Sequence, residues 1–206
     1  VRLGEGTAMA LSPDGKSALA RRGSQTVLLP TGDGQVVPVS ANAVAFDDGG
    51  TFLPDGRLLL AGSSPGHTSR LFVFQPAGGE THPVSSDSVT LPMWIHAVSP
   101  DGKSAAAVGK DGAWAIFPTD VSDVLPRAIQ GLRDGEAPIR WSADGRSLLV
   151  LSDSGLLSRL DPATGRHETV KQFRPWARVL PTPDGRSYVY GYGADFSNLY
   201  LIDNLR

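Results

Sequence analysis

The sequence contains no cysteine, which excludes disulfide bonds, thiolate nucleophiles and thiolate metal ligands. It also lacks a run approaching the roughly 20 apolar residues of a membrane span, and it shows no signal-peptide pattern. Its formal net charge of −2 lacks the basic excess that a nucleic-acid or anionic-membrane surface requires. We therefore expect no nucleic-acid partner and no membrane insertion, while the absence of cysteine leaves the cellular compartment open.

Helical periodicity is missing too, because no segment keeps apolar residues at 3.6-residue spacing over the length of a helix. The 24 glycines and 16 prolines are typical of a chain with many turns. Hydrophobic residues make up 40% of the 206, which is enough for a core, and an all-β domain of this size is often undivided. The sequence therefore predicts an all-β fold.

One five-residue motif occurs five times. Its copies are Ser12–Lys16, Leu53–Arg57, Ser99–Lys103, Ser142–Arg146 and Thr182–Arg186. Their aspartates, at positions 14, 55, 101, 144 and 184, are separated by 41, 46, 43 and 40 residues. A regular step of this size is typical of the blades of a β-propeller.

Each copy has the chemistry of a tight turn between two strands. Proline, present in four of the five copies, presets φ at the first central position, aspartate bonds to its own backbone, and glycine supplies the positive φ that closes the turn. Short apolar runs flank each copy, as Ser147–Leu151 does after the fourth. We therefore predict a β-propeller of about five four-stranded blades, with these turns on one rim joining the first and second strands.

We expect one propeller domain over residues 1–206, with units of about 1–39, 40–84, 85–130, 131–171 and 172–206. The chain starts with Val1 rather than methionine, so we expect an excised piece, either of a larger protein or of a larger propeller. The fifth unit lacks an outermost strand. Val1–Leu3 either supplies that strand and closes the ring or is the last strand of an upstream blade.

Repeats of the form Ser-Pro-Asp-Gly-Lys, followed by a small-apolar strand, resemble the WD40-like repeats of TolB-type propellers. The C-terminal run Ser187–Arg206 resembles the end of propellers attached to bacterial, notably acidobacterial, eukaryotic-like serine/threonine protein kinases. That resemblance implies a preceding kinase domain, often a membrane span, and an extracytoplasmic propeller. The kinase motifs themselves are absent here, so it implies a sensor or docking module alone.

Candidate ligand-binding residues lie on the predicted first strands. Trp94 and Trp176 start two of these strands near one mouth of the central channel, and concave places with aromatic walls favour ligands. The polar candidates for the same mouth are His96, Arg140, Arg178 and Asp47. The alternative is that this set only decorates the rim. Trp141 fills a position that is large and apolar in other units, so it is expected to be packing, and Trp114 likewise.

The sequence patterns that could indicate a catalytic nucleophile or a metal site have simpler explanations. Gly62–Gly66 matches the Gly-x-Ser-x-Gly nucleophile pattern, but a strand follows it where a helix is required. The four histidines have no partner at metal-ligand spacing, and Asp47–Gly50 is better explained by turn chemistry than by calcium. We therefore expect no catalytic residues, no metal and no cofactor.

Two functions remain open. One is a non-catalytic recognition or sensor propeller that presents a loop face to a protein, peptide or small ligand, within a larger signalling protein. The other is an accessory propeller that gates an oligopeptidase-like hydrolase. The loops on the rim opposite the five-residue turns are longer and more varied, and recognition usually resides in such loops.

Overall fold

The computed structural model describes residues 4–41, 43–92, 97–120, 125–182 and 186–191, with the backbone alone for Asp47 and Asp48. Seventeen strands form five antiparallel sheets in these ranges, and no described residue lies in a helix. Within each sheet the strands pair in chain order, so neighbours in sequence are neighbours in space.

Three of the sheets have four strands. Blade 1 consists of β1 (Thr7–Leu11), β2 (Ser17–Arg22), β3 (Gln25–Pro30) and β4 (Val37–Pro38). Blade 2 consists of β5 (Ala45–Phe52), β6 (Leu58–Ser64), β7 (His67–Phe74) and β8 (Thr81–Pro83). Blade 4 consists of β12 (Glu136–Trp141), β13 (Leu148–Ser152), β14 (Leu156–Leu160) and β15 (His167–Gln172).

The other two sheets are smaller. Blade 3 consists of β9 (Ser104–Val108), β10 (Trp114–Pro118) and β11 (Arg127–Ala128). On the inner side of β9, the described residues Thr90 and Val98 form the isolated bridges Thr90↔Val108 and Val98↔Ala105, and residues 93–96 lie outside the described part of the chain. The last sheet pairs β16 (Arg178–Pro181) with β17 (Tyr188–Gly191).

The prediction of an all-β propeller is confirmed, but the blade count is not. The described residues show four blades of three or four strands, together with a two-stranded sheet, rather than five four-stranded blades. Two causes account for the difference. Residues 93–96, in the predicted first strand of blade 3, lie outside the described residues, and so does the predicted third strand of the last unit.

The five-residue turns adopt the predicted geometry. In the first copy, Ser12 Oγ donates to Asp14 Oδ1 (2.6 Å), and the same carboxylate oxygen accepts from Lys16 N (3.0 Å). Ser17 N donates back to Ser12 Oγ (2.9 Å), which ties the two strands together. The turn glycines have positive φ at Gly15, Gly56, Gly102 and Gly145 (71°, 89°, 71° and 68°).

These turns lie on one rim, which we call the turn rim; the opposite one is the loop rim. The evidence is contact between turns of successive blades. A Cβ built on Gly102 would lie 3.1 Å from Pro54 Cδ, and one on Gly145 would lie 3.6 Å from Pro100 Cδ. The described turns also join first and second strands, as predicted.

The core lies between the blades. Between blades 2 and 3, Leu59 and Val73 pack with Ala107 and Phe117. Between blades 3 and 4, Trp141 is 6% exposed and its Nε1 donates to the Ala97 carbonyl (3.0 Å). The packing role predicted for Trp141 is therefore confirmed, because its ring is buried and its one donor is satisfied.

Candidate functional site

The structure describes three of the five predicted ligand-binding residues. Arg140, Trp176 and Arg178 are described, whereas Trp94 and His96 lie outside the described residues, as does the side chain of Asp47. The positions of Arg140, Trp176 and Arg178 relative to one another therefore show whether the predicted residues can form one site.

Arg140 lies near the turn rim. It is the penultimate residue of β12, next to the β12–β13 turn, and it pairs with Leu149. Its Nη1 donates to the Pro181 carbonyl (3.0 Å), which joins the first strands of blade 4 and the last sheet. Burial lowers the pKa of its guanidinium from the ordinary value. Arg140 thus contributes a hydrogen bond between neighbouring sheets.

Trp176 lies at the loop rim and is 75% exposed. Its backbone has φ of +61°, a left-handed conformation that a bulky residue rarely adopts. Trp176 N donates to the Asp153 carbonyl (3.0 Å), and Asp153 lies in the hairpin turn between β13 and β14. The tryptophan is therefore held by its backbone while its indole faces solvent.

The loop that carries Trp176 is fixed on the β13–β14 hairpin. Phe173 N donates to the Gly155 carbonyl (2.8 Å), and the Gln172 amide nitrogen donates to the Ser154 carbonyl (2.8 Å). A strained conformation persists only where the surrounding structure imposes it, and such conformations cluster at functional sites. The loop that carries Trp176 has a strained backbone that bonds from the β13–β14 hairpin hold in place, so it is a candidate functional site.

The predicted set is therefore divided between two rims. Trp176 and Arg178 share the loop rim, because Arg178 is the first residue of β16, and Arg178 is exposed. Arg140 lies at the other end of its strand, next to the turn rim. We refer to the segment from Gln172 to Arg178 as the Trp176 loop.

Ser64, His67 and Asp87 come together on blade 2, near the pattern that resembles a nucleophile elbow. His67 Nδ1 lies 3.2 Å from Asp87 Oδ1, but Ser64 Oγ accepts a hydrogen bond from Arg70 Nη2 (3.2 Å). Ser64 ends β6 and a two-residue turn leads into β7, so the strained strand-to-helix turn of that pattern is not formed. Among the described residues, no group of His, Cys, Asp and Glu could hold a metal ion.

Sequence reasoning missed a groove between blades 2 and 3. Its volume is about 660 Å³, and its walls include Asp87, Lys110, Trp114 and Phe117. A sequence signal was present in the small residues Ala113, Ala115 and Ala128, which line the same groove. Without the pairing register of the blade 3 strands, these alanines did not predict a groove, since alanine is also common in strands that pack tightly.

No protein-family model matches the sequence, and no curated protein matches it. Solved structures do. A TolB structure from Agrobacterium tumefaciens superimposes with a TM-score of 0.68 at 23% identity, over 94% of this chain and 72% of that one. The fold is that of a TolB-like β-propeller. TolB from Acinetobacter baumannii gives a TM-score of 0.61 at 15% identity, over 89% of this chain and 53% of that one.

The propeller also resembles oligogalacturonate lyase from Vibrio parahaemolyticus, with a TM-score of 0.55 at 14% identity. That match covers 91% of this chain and 58% of the lyase, so the chain spans between about half and three quarters of these three structures. Proteins with different names share the fold, so the fold does not identify an activity. No helix in the described part of the chain is long and apolar enough to cross a membrane.

Proposed function

We propose that this propeller is a non-catalytic recognition module, and that the Trp176 loop at its loop rim binds a protein or peptide partner. One observation carries the proposal: Trp176 is 75% exposed on a backbone with φ of +61° that the β13–β14 hairpin holds in place. Tryptophan is enriched among the residues that dominate binding energy at interfaces. A rigid loop also lowers the entropy lost when a partner binds.

The chemistry around Trp176 is consistent with a peptide ligand. Pro175 precedes Trp176 and Arg178 lies two residues after it; both are exposed, and Arg178 is of the type that bonds peptide carbonyl or carboxylate groups. Partner side chains would pack on the indole, while these neighbours would set their orientation. The proposal includes neither nucleic acid nor membrane insertion.

The larger context is a second part of the proposal. The run Ser187–Arg206 resembles the ends of propellers that follow bacterial serine/threonine kinases, so we place this module at the C-terminal side of such a signalling protein, outside the cytoplasm. Sequencing the gene upstream of the Val1 codon tests this placement. A kinase domain followed by a membrane span would support it, and a hydrolase domain on either side would contradict it.

The recognition role is testable with a random peptide library displayed on phage and selected against the immobilised protein. Selected peptides are then synthesised, and their dissociation constants are measured by fluorescence anisotropy. We expect Trp176→Ala to weaken binding by about 30-fold, since residues of this kind contribute about 2 kcal/mol or more. Val37→Ser is the matched control, because it alters an exposed apolar residue on blade 1.

A specific result would reverse the assignment. If selected peptides bound Trp176→Ala as tightly as the wild type, and lost binding on Arg146→Ala at the turn rim, the recognition face would be the opposite one. Failure of the library to yield any specific peptide would count against a peptide partner altogether.

A further inference from the structure

Aspartate followed by glycine is a reactive pair, because the glycine nitrogen can attack the aspartate side chain with no side chain of its own in the way. The attack needs a free amide N–H, a carboxyl group in its uncharged form and a backbone that can rotate. The sequence contains nine such pairs, which start at Asp14, Asp33, Asp48, Asp55, Asp101, Asp111, Asp134, Asp144 and Asp184. Asp184 lies outside the described residues, and the structure shows which of the others meets these conditions.

The five-residue turns protect their aspartates. In the first copy, Gly15 N donates to the Ser12 carbonyl (2.9 Å), so this nitrogen is already engaged. Ser12 Oγ and Lys16 N donate to Asp14 Oδ1 (2.6 and 3.0 Å), which favours the ionised carboxylate. The same glycine-to-carbonyl bond closes the other described copies, at Gly56, Gly102 and Gly145 (3.0, 2.8 and 3.0 Å).

Two further pairs are restrained by backbone bonding. Asp111 lies in the β9–β10 turn, where Gly112 N donates to the Gly109 carbonyl (3.0 Å). Asp48 lies within β5, where Gly49 is paired with the neighbouring strand. Neither backbone can rotate without breaking these contacts.

Asp134 is restrained by the turn around it. Glu136 N donates to the Arg133 carbonyl (3.1 Å), and Arg133 N donates to Glu136 Oε2 (3.0 Å). Asp153 N also donates to the Gly135 carbonyl (2.9 Å). In the described part of the chain Gly135 N has no acceptor, but the turn must lose these bonds before that nitrogen can reach the carboxyl group.

Asp33 alone among the described pairs has none of these restraints. It lies in the exposed loop between β3 and β4. Within the described residues, positions 32–35 make no hydrogen bond or ion pair, so the Gly34 N–H is free and no donor stabilises the charged carboxylate of Asp33. The loop is fastened just before this stretch, where Thr31 Oγ1 donates to the Gly15 carbonyl (2.7 Å). An exposed segment without backbone bonds changes conformation at little cost in free energy.

We propose that Asp33 is a site of spontaneous isoaspartate formation. Gly34 N bonds to Cγ of Asp33, and the N–H proton and the carboxyl hydroxyl leave as water, which gives a cyclic succinimide. Water then opens the ring at either carbonyl, and opening at the main-chain carbonyl of Asp33 gives isoaspartate. The proposal goes beyond the recognition role of the loop rim and does not depend on it.

The modified protein should keep its fold. Isoaspartate places the side-chain methylene in the main chain, within a segment that is exposed throughout. Beyond the loop, β4 stays in place through the pairing of Val37 with Leu28 and through Val39, which is 5% exposed and packs in the same cluster as Leu28. The circular dichroism spectrum should therefore be unchanged by the modification.

The test is to incubate the folded protein for several weeks at neutral pH and to measure isoaspartate at each aspartate by electron-transfer mass spectrometry. We expect at least about tenfold more isoaspartate at Asp33 than at Asp14 or Asp101, since attack in those turns first requires breaking their hydrogen bonds. In urea-unfolded protein the three sites should react at similar rates. Asp33→Glu is the matched control, because it keeps the charge but would have to form a larger and less favourable ring, so it should remove the signal at this position alone.

Three results would overturn the proposal. One is the absence of isoaspartate at Asp33 in the folded protein while the unfolded protein forms it. The second is equal modification of Asp33 and Asp14 in the folded protein, which would show that the turn bonds give no protection. The third is faster modification at Asp134 than at Asp33, which would show that a free glycine nitrogen matters more than freedom of the loop.

Discussion

In three of the turns, a hydrogen bond from a serine hydroxyl lowers the pKa of the aspartate carboxyl group. The hydrogen bond from Ser99 Oγ, and then that from Lys103 N, lower the pKa of Asp101 below its ordinary value of 3.8. Because the carboxyl pKa is lower in the folded protein, the ionised form stabilises the fold above pH 3.8. That contribution is lost as the pH falls through the pKa of the folded protein.

Ser99→Ala should therefore raise the pKa of Asp101 toward its ordinary value, as measured by NMR titration of the carboxyl carbon. It should also make the loss of stability below pH 4 less steep in acid titrations followed by circular dichroism. Ser104→Ala is the control in the same turn, since no hydrogen bond joins its hydroxyl to Asp101. An Asp101 pKa that responds equally to both substitutions would contradict the assignment.

Two turn glycines with the same φ separate backbone strain from contact between blades. Gly15 and Gly102 both have φ of 71°, but a Cβ on Gly15 meets nothing within 4 Å, whereas one on Gly102 approaches Pro54. Gly15→Ala should lower the free energy of unfolding by about 1–2 kcal/mol, the penalty of the left-handed conformation. Gly102→Ala should lower it further, as measured by urea denaturation. Equal losses of unfolding free energy would show that the contact between turns of neighbouring blades contributes nothing.

The sequence predicted the positive φ of the turn glycines but not that of Trp176. Glycine after aspartate in a hairpin is a local signal, and it was confirmed at Gly15, Gly56, Gly102 and Gly145. The conformation of Trp176 depends instead on bonds from a hairpin about 20 residues earlier in the chain. Strain imposed by such distant contacts leaves no local trace in the sequence.

At the scale of the element, the Trp176 loop depends on the glycine of the hairpin beneath it. Gly155 has φ of +83°, and a Cβ there would overlap the Arg174 carbonyl oxygen. Gly155→Ala should therefore displace the loop and weaken peptide binding about as much as Trp176→Ala does, with the indole still present. Anisotropy titrations with the selected peptides measure this effect.

Gly66 provides the matched control for that experiment. It occupies the hairpin turn between β6 and β7 on the same rim, with φ of +80° and nothing within 4 Å of a built Cβ. Gly66→Ala carries the same kind of backbone strain without the collision. Loss of peptide binding in both variants would indicate a general effect of strain and would remove the role assigned to the loop.

At the scale of the whole molecule, the second strand of each of the four blades contributes to two hydrophobic clusters, one on each face of the strand. In β13, Leu148 and Val150 pack toward blade 3, whereas Leu149 packs with Val179 of the last sheet. Leu148 and Leu149 are at most 1% exposed. A change on either face of one strand should therefore affect the same cooperative unit.

Leu148→Ala and Leu149→Ala should each lower the free energy of unfolding by about 2–5 kcal/mol, because both leave a cavity in a buried core. We expect one transition for each variant, with tryptophan fluorescence and circular dichroism coinciding in urea. A separate early transition in Leu149→Ala alone would show that the last sheet unfolds independently.

The repeat period predicted the propeller and its order of strands, since the turn motif recurs once per blade. It did not predict the pairing of Thr90, which forms an isolated bridge with Val108 of β9. Nor did it predict the groove, because open space between blades depends on the register of Ala115 against Ala107. Both features depend on pairing, which composition does not encode.

The contacts of Gly102 with Pro54 and of Gly145 with Pro100 each join two copies of the same five-residue motif. The third copy, Ser99–Lys103, uses its proline on one side and its glycine on the other, so both halves of the interface lie within a single copy. A unit duplicated whole carries both halves, and it can rebuild the contact with each neighbour. An array built in this way can gain or lose blades through copying errors in the gene, without a new interface having to arise.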